Sequence, residues 1–156
     1  MKITFILVGK VKEDFLKKAY LEYQKRLSKY AIINIEYVEE EKINNPSLIN
    51  KGLEEEGKRI LSIIKDNSFV YLIDLHGKEL DSIEFAKNLE KNISISNNQL
   101  YFVVGSSYGL GENIRKRANF AISLGKLTTT HPLALLLTLE QVYRAFKINN
   151  KEIYHK

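Results

Sequence analysis

Hydrophobic and polar positions along this chain follow two periods that alternate from its first residue to its last. Short apolar or alternating runs, typical of β-strands, are separated by segments with apolar residues every three to four positions, typical of amphipathic helices. The predicted strands cover residues 2–8, 32–38, 69–74, 100–104 and 119–123. The predicted helices cover residues 13–30, 51–65, 111–117 and 132–148, with another that begins at residue 81. The charged segment 39–50 is predicted to be a loop.

This alternation predicts an α/β fold with a mainly parallel sheet flanked by helices. The 156 residues suit a single domain over residues 1–156, because no repeat or linker divides them. In such sheets ligands bind at the carboxyl ends of the strands. Three strand ends carry unusual polar or Gly-rich sequences, at residues 74–77, 105–111 and 124–130. We therefore expect the functional site in the second half of the chain.

The last predicted helix is apolar around most of its circumference, with leucines at 133, 135, 136, 137 and 139. Such a helix has to be covered on more than one side. We expect the second cover to be another subunit, which makes the protein a homodimer. The alternative is a central helix that one chain buries completely.

Composition narrows the possible chemistry. The chain has no cysteine, which excludes disulfides, thiolate metal sites and a cysteine nucleophile, and fits a reducing cytoplasm. No apolar run is long enough to cross a bilayer, and charge interrupts residues 1–10 too early for a signal peptide. The three histidines lack the spacing of a metal site. We expect a cytoplasmic protein with no membrane or metal partner.

The net charge of +5 is concentrated in the last third of the chain. Residues 111–156 hold eight of the 24 Lys and Arg side chains but only three of the 19 Asp and Glu side chains. A local basic excess is typical of proteins that bind nucleic acid. The alternative is an excess that serves solubility alone.

Two loops are candidates for ligand binding. Residues 105–111, GSSYGLG, match neither a dinucleotide fingerprint nor a phosphate loop, so they form either a plain tight turn or a cofactor loop. Residues 124–132, LGKLTTTHP, end at a helix start, where amides and hydroxyls suit the edge of an adenine or a ribose. The alternatives are that Thr130 only caps the helix and that His131 is structural.

Polar residues near the C-terminus are candidates for the chemistry. Arg144 suits contact with a phosphate, although an ion pair with Glu140 one turn earlier is the alternative. His155 is able to accept a proton near neutral pH, unless the tail that carries it and Tyr154 is disordered.

With these segments in view, the whole chain resembles the small SPOUT-class methyltransferases that methylate N3 of a pseudouridine in 23S ribosomal RNA. The resemblance lies in the opening KITFILVGK, in EEEGKRIL at residues 54–61, in FVVG at residues 102–105, and above all in EQVYRAFKI at residues 140–148 with the terminal YHK. It implies an α/β fold with a C-terminal trefoil knot, a homodimer and S-adenosylmethionine as cofactor. It also implies 23S rRNA, within the large subunit or the 70S ribosome, as partner.

The resemblance further implies roles for individual residues. The substrate side falls on Arg144, Tyr154 and His155, and His155 or Tyr154 would take the N3 proton or orient the base. The cofactor contacts fall on Ile73, Gly105, Leu124, Gly125, Lys126, Leu127, Thr128 and Thr129.

Two positions depart from the family pattern. Ser106 stands where a second glycine is usual, and Leu135 stands where an arginine is frequent. These departures motivate one alternative, a non-catalytic ribosome- or RNA-binding protein that retains the fold. A second alternative, a flavodoxin-type nucleotide-binding protein, is disfavoured because the phosphate loop is absent.

Overall fold

A computed structural model describes all residues from 1 to 156 as five strands and five α-helices. The strands are β1 (Lys2–Val8), β2 (Ile32–Val38), β3 (Phe69–Glu79), β4 (Gln99–Val104) and β5 (Phe120–Ser123). The helices are α1 (Asp14–Leu27), α2 (Ile49–Ile63), α3 (Ser82–Ile95), α4 (Glu112–Arg117) and α5 (His131–Asn149). A short 3₁₀ turn, Pro46–Leu48, lies within the predicted loop and leads into α2.

The five strands form one sheet in the order β2-β1-β4-β3-β5, and every neighbouring pair is parallel. The predicted parallel α/β fold is therefore confirmed. Because all strands run in the same direction, their carboxyl ends meet along one edge of the sheet. The loops after β3, β4 and β5 leave this edge side by side.

Helices cover both faces of the sheet. Alternate residues of β1 point to opposite faces, so Phe5 joins the core under α1, α3 and α5 while Ile6 joins the core under α2 and α4. At the centre of the first core the Phe102 ring stacks on Tyr71, with ring centroids 4.7 Å apart, and on Phe5 at 5.2 Å. Burying each of these side chains contributes about 1.5–3 kcal/mol to folding.

Strand β3 continues beyond residue 74, where the sequence predicted its end. Its pairing with β5 shifts register between Ile73 and Lys78, so the intervening residues bulge from the strand before the pairing resumes. Gly77 then passes so close to β5 that a Cβ atom there would lie 2.7 Å from the backbone of Ile122. The polar residues and the glycine of this bulge have the composition of a turn, and for this reason the sequence predicted that the strand ends before them.

Helix starts follow the predicted capping in one case and not in the other. Asp81 and Glu84 form the predicted capping box at the start of α3, with reciprocal hydrogen bonds of 2.8 and 2.9 Å. Thr130 is the N-cap residue of α5, but its side chain makes no capping hydrogen bond. The interpretation that Thr130 serves to cap the helix is therefore wrong, and its hydroxyl stays unused by the helix.

Helix α5 packs on the sheet between α1 and α3, and part of its outer face stays open. Leu135, Leu139 and Val142 are fully buried against the sheet, whereas Leu133 and Leu137 on another face are each 39 % exposed. One chain therefore does not bury this helix completely, and the apolar surface it leaves open is that expected of a subunit contact. No helix has both the length and the hydropathy that a membrane span requires.

Two leucines of helix α1 allow the contribution of core burial to the free energy of unfolding to be measured. We expect Leu16→Ala to lower the free energy of unfolding by about 2–5 kcal/mol, because Leu16 is buried and truncation leaves a cavity. The matched control is Leu21→Ala on the same helix, where the side chain is 65 % exposed and the expected change is within about 0.5 kcal/mol. Urea denaturation of both variants gives the comparison, and equal losses would contradict the described packing.

Candidate cofactor cleft and C-terminal tail

A cleft of about 860 Å³ opens at the carboxyl edge of the sheet, between the ends of β3, β4 and β5 and the first turn of α5. All three strand ends singled out in the sequence contribute to its walls. Lys126 is exposed and is not among the lining residues. The remaining residues expected to contact the cofactor do line the cleft, namely Ile73, Gly105, Leu124, Gly125, Leu127, Thr128 and Thr129.

The loop after β4 is both a tight turn and a wall of the cleft. The Gly109 amide donates to the Ser106 carbonyl at 2.9 Å, which closes the turn. A Cβ atom on Gly105 would lie 2.3 Å from the Gly109 carbonyl oxygen, and Gly109 has a φ of +96°. Glycine is therefore needed at both positions for this wall to form.

The loop after β5 presents unused hydrogen-bonding groups to the cleft. Ser123 fixes its start, since its hydroxyl donates to the Gly125 carbonyl at 3.0 Å and accepts from the Gly125 amide at 3.2 Å. The amides of residues 126–129 donate to no acceptor in the protein. Gly125 has a φ of +130° and open space beside it. The loop offers amides and threonine hydroxyls at the rim of an apolar wall.

Asp74 and Arg115 form an ion pair inside the cleft, and they supply its only carboxylate and its only Lys or Arg side chain. Arg115 also donates from Nε to the Leu110 carbonyl at 3.2 Å. Burial alone would raise the pKa of the Asp74 carboxyl, but the hydrogen bonds from Arg115 and from the His76 amide outweigh it and lower the pKa. Sequence reasoning flagged the segment of Asp74 but missed its partner, because Arg115 was counted with the basic surface.

The C-terminal tail folds back on α5 and brings its three predicted residues together. The Arg144 guanidinium lies 4.7 Å from the centre of the Tyr154 ring and contacts His155 Nδ1 at 3.3 Å. Glu140 joins them, accepting from Arg144 at 2.5 Å and from the Tyr154 hydroxyl at 3.0 Å. The ion pair considered as an alternative for Arg144 is therefore present, but as part of a larger cluster.

The protonation of this tail cluster follows from its contacts. Arginine has no acceptor, so the guanidinium donates and His155 Nδ1 accepts, which requires a ring with an unprotonated Nδ1. Burial and the hydrogen bond to Glu140 raise the pKa of the Tyr154 phenol to about 12. At neutral pH Tyr154 is thus a hydrogen-bond donor and not a base.

Glu152, which the sequence did not single out, fastens the tail. Its carboxylate accepts from Lys147 at 2.6 Å, from the Tyr30 hydroxyl at 2.7 Å and from Lys29 at 3.1 Å. The hydrogen bond from Lys147, followed by those from Tyr30 and Lys29, lowers the pKa of this carboxyl to about 2. The tail is therefore tied to α5 and to the turn between α1 and β2 just before Tyr154.

The cleft and the tail cluster lie apart within one chain. His131 in the first turn of α5 lines the cleft, whereas Arg144 lies 13 positions further along the helix. At a rise of about 1.5 Å per residue this corresponds to roughly 20 Å along the helix axis. One protomer does not bring Tyr154 and His155 to its own cleft wall.

Half of the basic residues in the last third are engaged by the protein itself. Arg115 binds Asp74, Arg144 binds Glu140, and Lys147 binds Glu152. Arg117 donates to the carbonyls of residues 65, 66 and 68. The basic surface available to an anionic partner is therefore smaller than the sequence indicated. The chain contains no group of three His, Asp or Glu side chains arranged to hold a metal ion.

A parallel sheet with a cleft at its carboxyl edge places the chain among the α/β proteins that bind ligands at this edge. The model of a family described as predicted SPOUT methyltransferases matches residues 1–155, and the chain belongs to that family. A "Ribosomal RNA large subunit methyltransferase H" of Clostridium botulinum (strain 657 / Type Ba4) is 48 % identical over the full length of both chains. The protein of the same name from Lactobacillus delbrueckii subsp. bulgaricus is 43 % identical, again over the full length of both.

Acid should weaken the fastening of the tail by Glu152. Because the folded pKa lies below the unfolded value of about 4.3, the carboxylate stabilises the folded state above that pH. This stabilisation is lost as pH falls from about 4.3 towards 2. We expect Glu152→Gln to flatten the pH dependence of the free energy of unfolding in this window, measured by urea titration. Glu55→Gln, which removes a carboxylate with one lysine partner, is the control. If both variants flattened the pH dependence equally, the stabilising role of the Glu152 contacts would be contradicted.

Proposed function

We propose that this protein is an S-adenosylmethionine-dependent methyltransferase that methylates N3 of a pseudouridine in 23S rRNA of the large ribosomal subunit. The observation that carries the proposal is the cleft into which the loops after β3, β4 and β5 converge. The substrate class is supported by relatives named as ribosomal RNA large subunit methyltransferases. The pseudouridine specificity and the trefoil knot follow from the family resemblance, and a cytoplasmic location is part of the same proposal.

The residues present fit an adenosine-containing cofactor. The apolar side chains of Ile73, Leu124 and Leu127 offer a surface for a purine, and the free amides of residues 126–129 offer donors to its ring nitrogens. Gly105 lines the cleft with its backbone, and the absence of a side chain there makes room for the Gly109 carbonyl of the same turn. When bound, the cofactor supplies a methyl group activated by a sulfonium.

With an activated methyl group, the main task of the protein is to position the acceptor in line with the donor. The Arg144 cluster suits this task, because its guanidinium and the Tyr154 hydroxyl are held by Glu140 in fixed directions. The N3 proton has to leave the base, and among these residues the imidazole of His155 is the side chain whose chemistry suits proton transfer. We assign His155 to accept or direct that proton and Tyr154 to orient the base.

A homodimer would unite the two separated parts of the site. The exposed Leu133 and Leu137 lie one turn apart on α5, and Leu124 beside them is 40 % exposed. If two α5 helices pack antiparallel across this strip, the C-terminal end of each reaches the first turn of the other. The tail of one subunit then lies at the cofactor cleft of its partner. One subunit supplies the cofactor site and the other supplies the groups that face the RNA.

The departures from the family pattern do not favour the non-catalytic alternative. Leu135 is completely buried in the core, so a basic side chain at this position is not missing from the exposed surface. Ser106 has a buried side chain whose hydroxyl is withdrawn from solvent, so the added atoms do not fill the cleft. The family match over residues 1–155 also disfavours the flavodoxin-type alternative.

Calorimetric titration with S-adenosylmethionine, and with S-adenosylhomocysteine as a second ligand, tests the proposal. We expect binding at micromolar strength and methyl transfer to ribosomes that lack the modification. Absence of binding both to the free protein and in the presence of ribosomes would overturn it in favour of the non-catalytic alternative.

Arg144→Ala separates substrate positioning from cofactor binding. Loss of a charged hydrogen-bond donor costs about 1.5–3 kcal/mol, so transfer to ribosomes should fall about ten- to a hundredfold. Affinity for S-adenosylhomocysteine should stay unchanged, because Arg144 is assigned to the acceptor base and is not among the residues that form the cleft walls. Lys58→Ala, which breaks an exposed ion pair with Glu55, controls for the loss of charge. Equal loss of transfer and affinity would contradict this division.

The shared site makes activity depend on dimerisation. We expect Leu137→Glu to convert the dimer into monomers in sedimentation equilibrium, since a carboxylate at the contact would lose its hydration. Transfer should then disappear while the far-UV circular dichroism remains that of the wild type. Leu21→Glu, at another exposed leucine, should leave the dimer intact. Full activity of a monomeric variant would contradict a site built from two chains.

A further inference from the structure

Glu56 on α2 is the only charged residue in the buried interior, with 2 % of its surface exposed. Burying a carboxylate is strongly unfavourable unless a cation or several donors compensate it. No cation pairs with Glu56. Arg59, the nearest positive influence on it, is bound instead to the Glu41 carboxylate at 2.5 Å and to the Glu39 carbonyl at 2.9 Å. The function described so far does not use this buried carboxyl group.

The partners of Glu56 link two loops at the carboxyl edge of the sheet. Its Oε2 accepts from the Glu41 amide at 2.9 Å, in the segment that follows β2. Its Oε1 has no partner, and the Ser106 hydroxyl, in a residue 7 % exposed, has none either. The turn that carries Ser106 lies against α2, because a Cβ atom on Gly111 would be 2.6 Å from the Leu53 carbonyl oxygen, and the Ser106 hydroxyl lowers the pKa of the Glu56 carboxyl. A hydrogen bond between the Ser106 hydroxyl and Oε1 would satisfy both of these buried groups.

Ser106 connects this buried pair to the cofactor cleft. Its carbonyl accepts from the Gly109 amide and so closes the turn that forms one cleft wall. Helix α2 is a firm support for the turn, because it packs closely on the start of α4. Asn113 on α4 donates to the Glu54 carbonyl at 3.0 Å, and a Cβ atom on Gly57 would meet the Asn113 side chain at 2.0 Å.

We propose that Glu56 is a positioning residue that holds the Ser106–Gly109 turn against α2 through the Ser106 hydroxyl and thereby sets the shape of the cofactor cleft. The inference rests on the function proposed above, because it assigns the turn to the cofactor. Ser106 stands where the family usually has glycine, and its hydroxyl then serves as the hydrogen-bonding partner of Glu56. The role differs from catalysis, since Glu56 reaches the ligand only through the turn.

The protonation of Glu56 gives this link a pH dependence. Burial raises the pKa of the carboxyl, and the Glu40 carboxylate raises it further, against the opposing effects of the Glu41 amide, Ser106 and Arg59. A raised folded pKa means that the contribution to stability is complete below the unfolded value of about 4.3. It is lost as pH rises from there through the folded pKa. Glu56→Gln should abolish this loss, because an amide does not ionise.

Amide hydrogen exchange tests the inference without any cofactor. The probe is the Gly109 amide, whose hydrogen bond to the Ser106 carbonyl reports the closed turn. We expect faster exchange in Glu56→Ala and in Ser106→Ala, and wild-type exchange in Glu56→Gln, whose amide can still donate to the hydroxyl. Glu55→Ala, the exposed neighbour on the same helix, is the matched control. Equal exchange rates in Glu56→Ala and Glu55→Ala would overturn the proposal.

Titration with S-adenosylhomocysteine then tests the consequence for the cleft. Losing one partner of a buried polar pair should weaken affinity about tenfold in Glu56→Ala and in Ser106→Ala. The double variant should be no weaker than either single variant, because both changes remove the same link. Glu56→Gln should keep wild-type affinity. Fully additive losses, or a loss in Glu56→Gln as large as in Glu56→Ala, would overturn the proposal.

The design separates the two hypotheses. A wild-type protein that binds no S-adenosylhomocysteine would overturn the proposed function, while the Gly109 exchange rates still decide whether Glu56 holds the turn. Should Glu56→Ala fail to fold, Ser106→Ala carries the same exchange test, since it removes a single hydroxyl.

Discussion

The parallel pairing of β3 and β5, and of β3 and β4, is the constraint on which the rest of the molecule depends. It forces the loops after these strands to leave the sheet at one edge, and this alone builds the cleft from segments that are far apart in sequence. The pairing is held by a core whose central rings, Tyr71 and Phe102, stack across β3 and β4. Substitutions in this core would therefore move the cleft walls as well as lower stability, because interiors are close-packed and transmit displacement.

Helix α5 is the reason why the proposed function calls for a second subunit. Its first turn belongs to the cleft, its buried face belongs to the core, and its far end holds the Arg144 cluster. A straight helix cannot bring its two ends together. Within one chain, the cleft at the start of α5 therefore stays separate from the Arg144 cluster at its far end. In the proposed homodimer, the exposed leucines near its start supply the surface by which two such helices pack together. The geometry of α5 thus explains why one chain presents two distinct sets of groups at separate places.

Periodicity in the sequence was sufficient for most of the fold, and physical reasons account for what it missed. Strands and helices with clear apolar periods were located within a few residues, because the spacing of apolar residues within one segment shows which face of it is buried. The continuation of β3 to Glu79 was missed because a bulge of polar residues and glycine has the same composition as a turn. The loops that form the cleft were predicted from their glycine and threonine content. The family resemblance supplied the individual residues expected to contact the cofactor and the substrate. The Asp74–Arg115 pair and the Glu152 contacts join residues 41 and more than 100 positions apart, and composition carries no record of such partnerships.

The basic residues of the last third are less available to a partner in the structure than the sequence indicates. A basic C-terminal third indicates a surface for RNA, yet Arg115, Arg117, Arg144 and Lys147 all act first on groups of the protein. Lys126, Lys151 and Lys156 stay exposed, and they lie on the loop after β5 and on the tail. If the tail of one subunit reaches the cleft of the other, these three lysines collect around the same opening. The positive charge would then be greatest where the RNA base enters, so a small excess on each chain becomes a focused one only in the dimer.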